Sequence, residues 1–287
     1  MTGKIAIVTG ASSGIGAATA RRLNAMGYTV YAAARRLELM APLADAGVRP
    51  VRVDVTDEAA LTALVDRVVA ECGRIDVLVN NAGYGAMGAF EDVTMADARR
   101  QVDVNLFGPA RLTQLVLPHM RAQRSGYIIN ISSIGGRVHV PLGSWYHATK
   151  FAIEGLSDTL RLEVAPFGIH VVVVEPGAID TEWHGVAAGN LVANSTMGAY
   201  AVQAATVEKV LSGGRFASSP DVVAKAIAKA VTARRPRTRY AVGLGAKPVI
   251  YARRVLPDRV VDAVVRLTFR VAGKVFGSLD NTPAKVR

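Results

Sequence analysis

The chain has 287 residues, which is enough for one large domain or two small ones with a substantial core. Its net charge of +11 is concentrated at one end, because residues 234–287 hold thirteen Lys or Arg and three Asp, a net charge of +10. The first 233 residues are close to neutral, so the charge pattern argues against a nucleic-acid partner.

No apolar run reaches the ~18 residues that a membrane span needs. Only four residues precede the first apolar run, at Ile5, which leaves no room for a signal peptide. We therefore expect a cytoplasmic protein. The one cysteine, Cys72, has no disulfide partner within the chain and is expected to be a small buried hydrophobe.

Predicted strands and helices alternate along most of the chain. Short apolar runs predict strands at residues 5–9, 28–34, 51–55, 77–80, 127–131 and 170–175. Amphipathic patterns predict helices at residues 17–26, 37–46, 57–72, 96–123 and 145–167, the fourth interrupted near Gly108 and Pro109. This alternation predicts an α/β domain whose parallel sheet is covered by helices on both faces. In such sheets ligands bind at the carboxyl ends of the strands, where the strand order reverses.

A glycine-rich turn joins the first strand to the first helix. Its glycines permit a tight turn and a close approach of a bound group, and the helix N-terminus offers free N–H donors to a phosphate. The spacing differs from the dinucleotide fingerprint G-x-G-x-x-G, and a purely structural turn stays open as the alternative. The candidate cofactor-binding residues of this turn are Gly10, Ser12, Ser13, Gly14, Ile15 and Gly16.

The end of the second strand bears on the choice of cofactor. A dinucleotide-binding fold that selects NAD usually carries an acidic residue there, whereas an arginine accommodates the 2′-phosphate of NADP. Here Arg35 and Arg36 follow the strand, which favours NADP(H) and leaves NAD(H) as the alternative. We expect Arg35 to bind the phosphate; Arg36 is a second candidate or a solvated surface charge. Asp54 and Val55, after the third strand, are candidates for contact with the adenine.

Tyr146 and Lys150 stand four residues apart in a helical pattern, so their side chains point to the same side of the helix. A cation close to a phenol moves the pKa of Tyr146 down from about 10, which suits a group that gives and takes protons at neutral pH. Ser133 follows a buried strand thirteen residues upstream, where its hydroxyl can hold a substrate carbonyl. Strand alternation turns its neighbour Ser132 the other way.

These features together resemble the classical short-chain dehydrogenase/reductase family. Residues 9–16 are similar to the family's TGxxxGxG turn, Asn80-Asn81-Ala82-Gly83 to its NNAG segment, and Tyr146 to Lys150 to its YxxxK motif. Ser133 and Pro176-Gly177 lie at the family's usual distances from these motifs. The resemblance covers roughly residues 3–240 and implies a three-layer, Rossmann-like doubly wound sheet in a single domain.

The resemblance also implies roles for individual residues. Tyr146 is expected to be the general acid and base, Ser133 to polarise the substrate oxygen, and Lys150 to bind the nicotinamide ribose and lower the pKa of the tyrosine. Asn105 matches the asparagine that completes the family's tetrad by holding a water in a proton relay; a structural hydrogen bond within the helix is the alternative. Further residues expected to lie against the cofactor are Asn81, Ala82, Gly83, Pro176, Gly177, Ile179 and Thr181.

Residues 178–219 lack a clear helix or strand pattern, which predicts a long loop, and the resemblance implies that this region is the substrate lid. Large apolar side chains here and after the fifth strand predict a roomy pocket for a lipophilic alcohol or ketone. No metal site is predicted. The candidate substrate-contacting residues are Tyr84, Val140, Leu142, Trp145, Trp183, Met197 and Tyr200.

The basic tail extends beyond a minimal family member. A helix at 221–233 and a strand at 239–242 complete the predicted domain, residues 1–245, and residues 246–287 form a C-terminal extension. Residues 256–276 predict an amphipathic helix, which binds an anionic membrane surface or docks on its own domain or a partner subunit. Its basic side has Arg259, Arg266, Arg270 and Lys274, and its apolar side has Val261, Val264, Thr268, Val271 and Val275.

We predict an NADP(H)-dependent oxidoreductase that interconverts a secondary alcohol and a ketone or aldehyde. The tail is similar to that of hydroxysteroid and retinol dehydrogenases, which implies a substrate of steroid, retinoid or long-chain type. Family members commonly form homodimers or homotetramers through the helices that carry Asn105 and Tyr146. A sensor or scaffold protein that binds the cofactor without turnover is the alternative, and the complete Ser, Tyr, Lys and Asn set argues against it. Membrane binding as the main function rests on the tail alone.

Overall fold

The computed structural model describes residues 3–195, 198–212 and 217–275. Its strands are β1 (Ile5–Thr9), β2 (Thr29–Ala34), β3 (Arg49–Arg52), β4 (Val77–Asn80), β5 (Gly126–Ile131), β6 (Ile169–Pro176) and β7 (Arg239–Val242). They form one parallel sheet in the order β3-β2-β1-β4-β5-β6-β7. The predicted α/β fold with a doubly wound parallel sheet is confirmed.

The third strand is the least accurately predicted. It is Arg49–Arg52 rather than residues 51–55, and Val53 and Val55 are buried beyond its end. β3 lies at the edge of the sheet, where its partly exposed residues pair with β2. The apolar run therefore marked buried residues that follow the strand rather than the strand itself.

Helices cover both faces of the sheet and produce the three predicted layers. The described α-helices are α1 (Gly14–Ala25), α2 (Ala41–Asp45), α3 (Glu58–Cys72), α4 (Met95–Val102), α5 (Gly108–Gln123), α6 (Ser144–Val164), α7 (Trp183–Ser195), α8 (Ala201–Ser212), α9 (Asp221–Thr232), α10 (Ala246–Val255) and α11 (Asp258–Val275). Side chains of α1 and α9 pack with Ala6 and Val8 of β1 on one face. Side chains of α3, α5 and α6 pack with Ile5 and Ile7 on the other. This alternation along one strand is what a sheet buried on both faces requires.

The strand order reverses between β1 and β4, which creates a crevice at the carboxyl ends of the strands. The glycine-rich turn follows β1, and Asn81 follows β4. Ser133 follows β5, and Gly177 follows β6. The fold therefore gathers the candidate residues from four separate parts of the chain at one edge of the sheet.

Buried amides fix the helix that carries Tyr146 against the sheet. Asn80 Nδ2 donates to Asn130 Oδ1 at 2.9 Å and to the Thr113 hydroxyl at 3.0 Å, and Asn130 Nδ2 donates to the Ser157 hydroxyl at 2.9 Å. All four side chains are buried. A shift of β4, β5 or α6 would leave buried polar groups unpaired. This series of hydrogen bonds therefore holds the three elements in one register.

The predicted helix at 96–123 is divided, as expected, but the interruption precedes Gly108 and Pro109. A single π-helical turn, Asp103–Phe107, separates α4 from α5. Pro109 lies in the first turn of α5, where its missing N–H costs nothing. Turns of this kind occur frequently at functional sites, and this one contains Asn105.

The prediction of a loop at 178–219 is wrong, because α7 and α8 lie within it. The segment is rich in alanine, a strong helix former, and α7 buries small residues such as Ala187 and Ala188, which give only a weak amphipathic signal. The helix α10 was also not predicted. No helix in the described ranges is long and apolar enough to cross a membrane.

The helix α11 has its apolar residues on two faces rather than one. Val261 is buried and Phe269 packs against the cluster that contains Tyr146, so this face is turned inward. Four other apolar residues are 42–61% exposed and form an outer stripe. The stripe is Val260, Val264, Leu267 and Val271. The predicted apolar side is therefore corrected: Val261 faces the protein, while Val264 and Val271 face outward.

Candidate active site

The glycine-rich turn has the backbone that its sequence predicts. Gly10 and Gly14 adopt positive φ angles of 64° and 51°, which favour glycine. A Cβ on Gly16 would overlap the Gly10 carbonyl oxygen, so the start of α1 can approach the turn only without a side chain. The Asn81 side chain donates to the carbonyls of Thr9, at 2.9 Å, and Gly10, at 3.2 Å, and holds the turn from the neighbouring loop.

This turn fits the phosphates of a dinucleotide. α1 is twelve residues long and has no acidic residue in its first turn, so its N-terminal N–H groups and dipole favour an anion. Ile15 packs at the edge of the core beneath the turn. A side chain on Gly10, Gly14 or Gly16 would collide with neighbouring parts of the protein, so the turn can pack this closely only with glycine at these three positions.

Arg35 and Arg36 point in different directions. The Arg36 guanidinium donates to the hydroxyls of Ser12, at 3.2 Å, and Ser13, at 3.3 Å, directly on the glycine-rich turn. Arg35 interacts electrostatically with Asp54. Burial opposes ionisation of Asp54, but hydrogen bonds from the amide and hydroxyl of Thr56 prevail and lower the pKa of the carboxyl. Arg36 therefore lies beside the turn, and Arg35 lies near enough to Asp54 to affect its titration.

The loops after β4 and β6 close the crevice from the other side. A Cβ on Gly83 would lie 3.2 Å from Asn105 Oδ1 and 3.7 Å from Lys150 Nζ, so the Ala82-Gly83 backbone runs close to the catalytic candidates. After β6, the amide of Gly177 donates to Val242 at 2.8 Å. Ile179 is buried, and a Cβ on Gly14 would lie 2.9 Å from Thr181 Cγ2. Val55 is likewise buried and contacts the start of α5.

Three of the four predicted catalytic side chains, those of Ser133, Tyr146 and Lys150, come together. Tyr146 and Lys150 extend from the same side of α6, with Lys150 Nζ 5.9 Å from the centre of the Tyr146 ring. Lys150 Nζ also donates to the Ile131 carbonyl at 2.9 Å. Ser133 interacts with the Tyr146 hydroxyl and accepts from the Gly135 amide at 3.0 Å, while Ser132 is buried on the other side, as strand alternation predicts.

Burial governs the titration of the pair. Burial raises the pKa of Tyr146 to about 12, against the opposing hydrogen bond with Ser133. Burial lowers the pKa of Lys150 to about 8, against the attraction of the Glu154 carboxylate. The expected lowering of the tyrosine pKa by the lysine is therefore not found. The phenol is protonated at neutral pH, which suits a proton donor.

Asn105 connects the loop after β4 to the catalytic helix. Its Oδ1 accepts from the Tyr84 amide at 3.0 Å, and its Nδ2 donates to the Tyr84 carbonyl at 2.9 Å and to the Thr149 hydroxyl at 3.1 Å. Thr149 in turn donates to the Tyr146 carbonyl at 2.8 Å. The side chain of Asn105 therefore makes structural hydrogen bonds that join the loop after β4 to α6.

An apolar cluster surrounds the Tyr146 ring. The Trp183 ring lies 5.1 Å from the Tyr146 ring, with an angle of 52° between their planes. The other members of the cluster come from three loops and from α7, α8 and α11. They include Met87, Ala89, Val140, Leu142, Ala187, Leu191, Tyr200, Ala204, Val207 and Phe269.

Two predicted substrate residues, Trp145 and Tyr84, lie outside this cluster. Trp145 stacks on Phe90, with their ring centres 5.7 Å apart, instead of joining the cluster. Tyr84 contacts Asn105 through its backbone and is not a member of the cluster. Met197 lies outside the described residues. The cluster nevertheless gives the Tyr146 ring apolar surroundings.

Several residues that position this site were not predicted. The Thr9 hydroxyl accepts from the amides of Asn81 and Ala82, at 3.0 and 3.1 Å. His147 bonds to the Val140 amide and the Gly135 carbonyl, and its burial lowers the pKa of the imidazole, so a neutral ring supports the loop after β5. Glu182 contacts Arg36. Thr9 lies within the family motif, but nothing in the sequence separates His147 or Glu182 from surface residues.

Comparison with known proteins agrees with the geometry. The family model for short chain dehydrogenase matches residues 4–188. A 3-ketodihydrosphingosine reductase of Bacteroides thetaiotaomicron is 44% identical over 182 residues, 63% of this chain and 66% of that protein. The probable short-chain type dehydrogenase/reductase VdlC of Helicobacter pylori is 35% identical over 264 residues, 92% of this chain and 97% of that one.

Solved structures extend the likeness to the whole fold. A short-chain dehydrogenase from Streptomyces avermitilis superimposes with a TM-score of 0.77 and 35% identity, over 97% of this chain and 100% of that one. A metagenomic short-chain oxidoreductase in complex with NADP has a TM-score of 0.67 and 30% identity, over 84% and 97%. A 3-ketoacyl-(acyl-carrier-protein) reductase from Brucella melitensis complexed with NADH has a TM-score of 0.71 and 27% identity, over 83% and 95%.

The fold and the arrangement of the site define a nucleotide-dependent oxidoreductase that acts on CH–OH groups. The chain belongs to the short-chain dehydrogenase family.

Proposed function

We propose that this enzyme uses NADP(H) to reduce a ketone or aldehyde on a lipophilic substrate, and oxidises the corresponding alcohol in reverse. The observation that carries the proposal is the Tyr146 phenol, which is buried beside Ser133 and inside an apolar cluster. A proton donor, an oxyanion partner and an apolar binding surface are what carbonyl reduction requires of the protein.

The cofactor, when bound, supplies the hydride. Ser133 holds the substrate oxygen, and Tyr146 gives it a proton as negative charge develops there. Protonated Lys150 stabilises the phenolate form of Tyr146 after the proton has been transferred. Asn105 bonds both to the loop after β4 and to α6, and so keeps them in register around this pair. The apolar cluster excludes water from the reacting oxygen.

A preference for NADP(H) is supported by the arginine on the glycine-rich turn. Ser12, Ser13 and Arg36 form a cationic group of hydrogen-bond donors, suited to a ribose 2′-phosphate. Arg35 and Asp54 then flank the adenine side of the crevice. The carboxylate that an NAD-selective strand end would carry is replaced here by these two arginines.

The composition of the apolar cluster supports a lipophilic substrate, of steroid, retinoid or long-chain type. It packs aliphatic and aromatic side chains from three loops and three helices around Tyr146. The name of the Bacteroides relative, 3-ketodihydrosphingosine reductase, supports a ketone of the long-chain type within this group.

Cofactor titration followed by a substrate panel tests the proposal. Nicotinamide fluorescence would give the Kd of NADPH and NADH for the wild type, Arg36→Ala and Arg35→Ala. We expect Arg36→Ala to weaken NADPH about tenfold or more while changing NADH little, since it removes a charged hydrogen bond to the phosphate. A panel of long-chain ketones, steroids and retinoids should then contain a substrate that oxidises NADPH. Binding of cofactor without turnover on any member would favour the sensor alternative.

We propose that the enzyme is a homodimer or homotetramer assembled through α5 and α6. Phe107, before α5, is 60% exposed, and Leu162 and Phe151 are 72% and 45% exposed on one side of α6. Exposed large apolar residues that share a face mark an interaction surface. Phe107 lies in the π-helical turn that contains Asn105, and α6 carries Tyr146, so this assembly would adjoin the active site.

We further propose that α11 contacts an anionic membrane surface through its outer stripe. The stripe runs along the helix beside the exposed side chains of Arg259, Arg266 and Arg270. An apolar stripe flanked by basic side chains matches the boundary between acyl chains and anionic headgroups. Through Phe269, the inner face of the same helix touches the apolar cluster, so a lipid-dissolved substrate would be released close to its site.

A further inference from the structure

Glu182, at the start of the lid, reaches across the crevice to the glycine-rich turn. Its Oε2 accepts from Arg36 Nη2 at 2.6 Å and from the Ser13 hydroxyl at 3.0 Å. These two hydrogen bonds lower the pKa of the Glu182 carboxyl, so it is an anion at neutral pH. One carboxylate therefore holds two of the donors that the proposed NADP(H) site offers to a 2′-phosphate.

A carboxylate and a phosphate monoester compete for the same donors. Arg36 also donates to Ser12, so a group bound here is surrounded by one guanidinium and two hydroxyls. Arg36 and Glu182 are 46% and 53% exposed, so water screens their ion pair. A phosphate, with more charge and three acceptor oxygens, displaces the carboxylate more readily than an uncharged ribose hydroxyl does.

The next residue, Trp183, contacts the catalytic tyrosine. Its ring lies 5.1 Å from the Tyr146 ring, and a Cβ on Gly85 would lie 2.9 Å from its Cζ2. Adjacent residues of one segment thus touch the cofactor turn and the proton donor. The segment is anchored just before them, where the Asp180 amide donates to the Ser218 carbonyl at 2.9 Å. A change in the position of Glu182 would therefore act on the adjacent residue, Trp183.

We infer that Glu182 is a specificity-determining residue that couples the cofactor 2′-phosphate to the lid. The phosphate displaces the carboxylate from Arg36 and Ser13, and the release of Glu182 allows Trp183 to leave Tyr146 and admit the carbonyl substrate. A ligand shifts such an equilibrium only through a difference in affinity for the two states, and the 2′-phosphate supplies that difference. NAD(H), which lacks it, leaves the contact in place. The inference rests on the proposed use of NADP(H).

Fluorescence of Trp183 tests the coupling without nicotinamide or turnover. The chain has two tryptophans, so a Trp145→Phe background leaves Trp183 as the only indole. Adenosine 2′,5′-bisphosphate at saturation is expected to move its emission toward that of a solvent-exposed indole, whereas saturating 5′-AMP leaves the spectrum unchanged. With Glu182→Gln added, the bisphosphate should produce little further change. Equal responses to the two nucleotides, or no response to either at saturation, would overturn the coupling.

Binding constants test the competition independently. Glu182→Gln is expected to tighten NADPH binding by about two- to fivefold, the upper part of the range for loss of a screened ion pair, with the Kd of NADH unchanged. Asp180→Asn is the matched control, because it removes the same charge two residues away and should change neither Kd. If Arg36→Ala weakens NADPH but Glu182→Gln does not tighten it, this inference is wrong and the NADP(H) proposal stands. If Arg36→Ala leaves NADPH unchanged, both fall.

Discussion

Burial of Tyr146 and Lys150 determines which proton state each side chain holds. Desolvation raises the pKa of Tyr146 to about 12 and lowers the pKa of Lys150 to about 8. A protonated phenol is ready to donate, which favours the reducing direction at neutral pH. In the proposed mechanism Lys150 keeps its proton to stabilise the Tyr146 phenolate, so its pKa would set the upper pH limit of reduction.

We predict that kcat/KM for ketone reduction falls as pH rises through about 8, where Lys150 loses its proton. The Glu154 carboxylate raises the pKa of Lys150, so Glu154→Gln should move this decline to lower pH. Glu163→Gln, on the exposed side of the same helix, is the control and should leave the profile unchanged. A decline at the same pH in Glu154→Gln and the wild type would show that another group controls it.

The motif residues could be predicted because their chemistry depends on short spacings along the chain. Tyr146, Lys150 and Ser133 lie together as expected, and so do the glycines of the turn. The pKa of Tyr146 could not be predicted, because it depends on burial by side chains that are distant in sequence. The contact of Arg36 with Glu182 could not be predicted for the same reason, because 146 positions separate the two residues in the sequence.

At the scale of elements, α7 is joined to the active-site loop by side-chain hydrogen bonds. Asn190 donates to Gly85 at 3.0 Å and Asn194 to Met87 at 3.0 Å. The Ser195 hydroxyl accepts from the Ala89 amide at 2.8 Å. Because these bonds run to backbone groups far away in sequence, periodicity alone did not indicate a docked helix in this region.

We predict that Asn190→Ala combined with Asn194→Ala loosens α7. Two lost hydrogen bonds of about 1 kcal/mol each should raise the rate of thermolysin cleavage within residues 183–212 by about tenfold or more. Asn24→Ala, which removes the 2.6 Å bond to Ala46 away from the site, is the control. Mass spectrometry of the fragments locates the cuts, and equal cleavage in the two variants would mean that packing, not these amides, holds the helix.

At the scale of the whole molecule, two exposed apolar surfaces serve different proposed contacts. One lies on α6 around Leu162, and the other is the outer stripe of α11. The sequence predicted that α11 is basic and amphipathic. The positions of its apolar residues around the helix could not distinguish a face that packs on the protein from one that is exposed. The packing of Phe269 and Val261 against the protein decides that point.

We predict that Leu162→Asp disrupts the assembly. A carboxylate buried in an apolar interface costs several kcal/mol of association free energy, so light scattering after gel filtration should show a smaller species than for the wild type. Leu39→Asp, at a residue that is 44% exposed elsewhere on the surface, is the control and should keep the wild-type mass. An unchanged mass for Leu162→Asp would place the interface on another surface.

We predict that the protein sediments with phosphatidylcholine vesicles that contain phosphatidylserine, at low salt, and not with phosphatidylcholine alone. Val264→Asp with Leu267→Asp should abolish this binding, and Arg266→Gln with Arg270→Gln should weaken it, because the stripe and the basic face act together. Leu39→Asp again controls for the loss of an exposed apolar residue. Failure of the wild type to bind anionic vesicles would exclude the membrane contact.

The most direct test of the proposed reduction is the turnover of Tyr146→Phe, with Tyr127→Phe as control because Tyr127 bonds to Ala233 at 3.0 Å outside the site. Using the most active ketone of the panel with NADPH, we predict that Tyr146→Phe lowers kcat/KM by about 10²–10⁴-fold. The Kd of NADPH should stay within about twofold of the wild type, and Tyr127→Phe should remain active. Turnover near the wild-type rate in Tyr146→Phe would contradict its assignment as the proton donor.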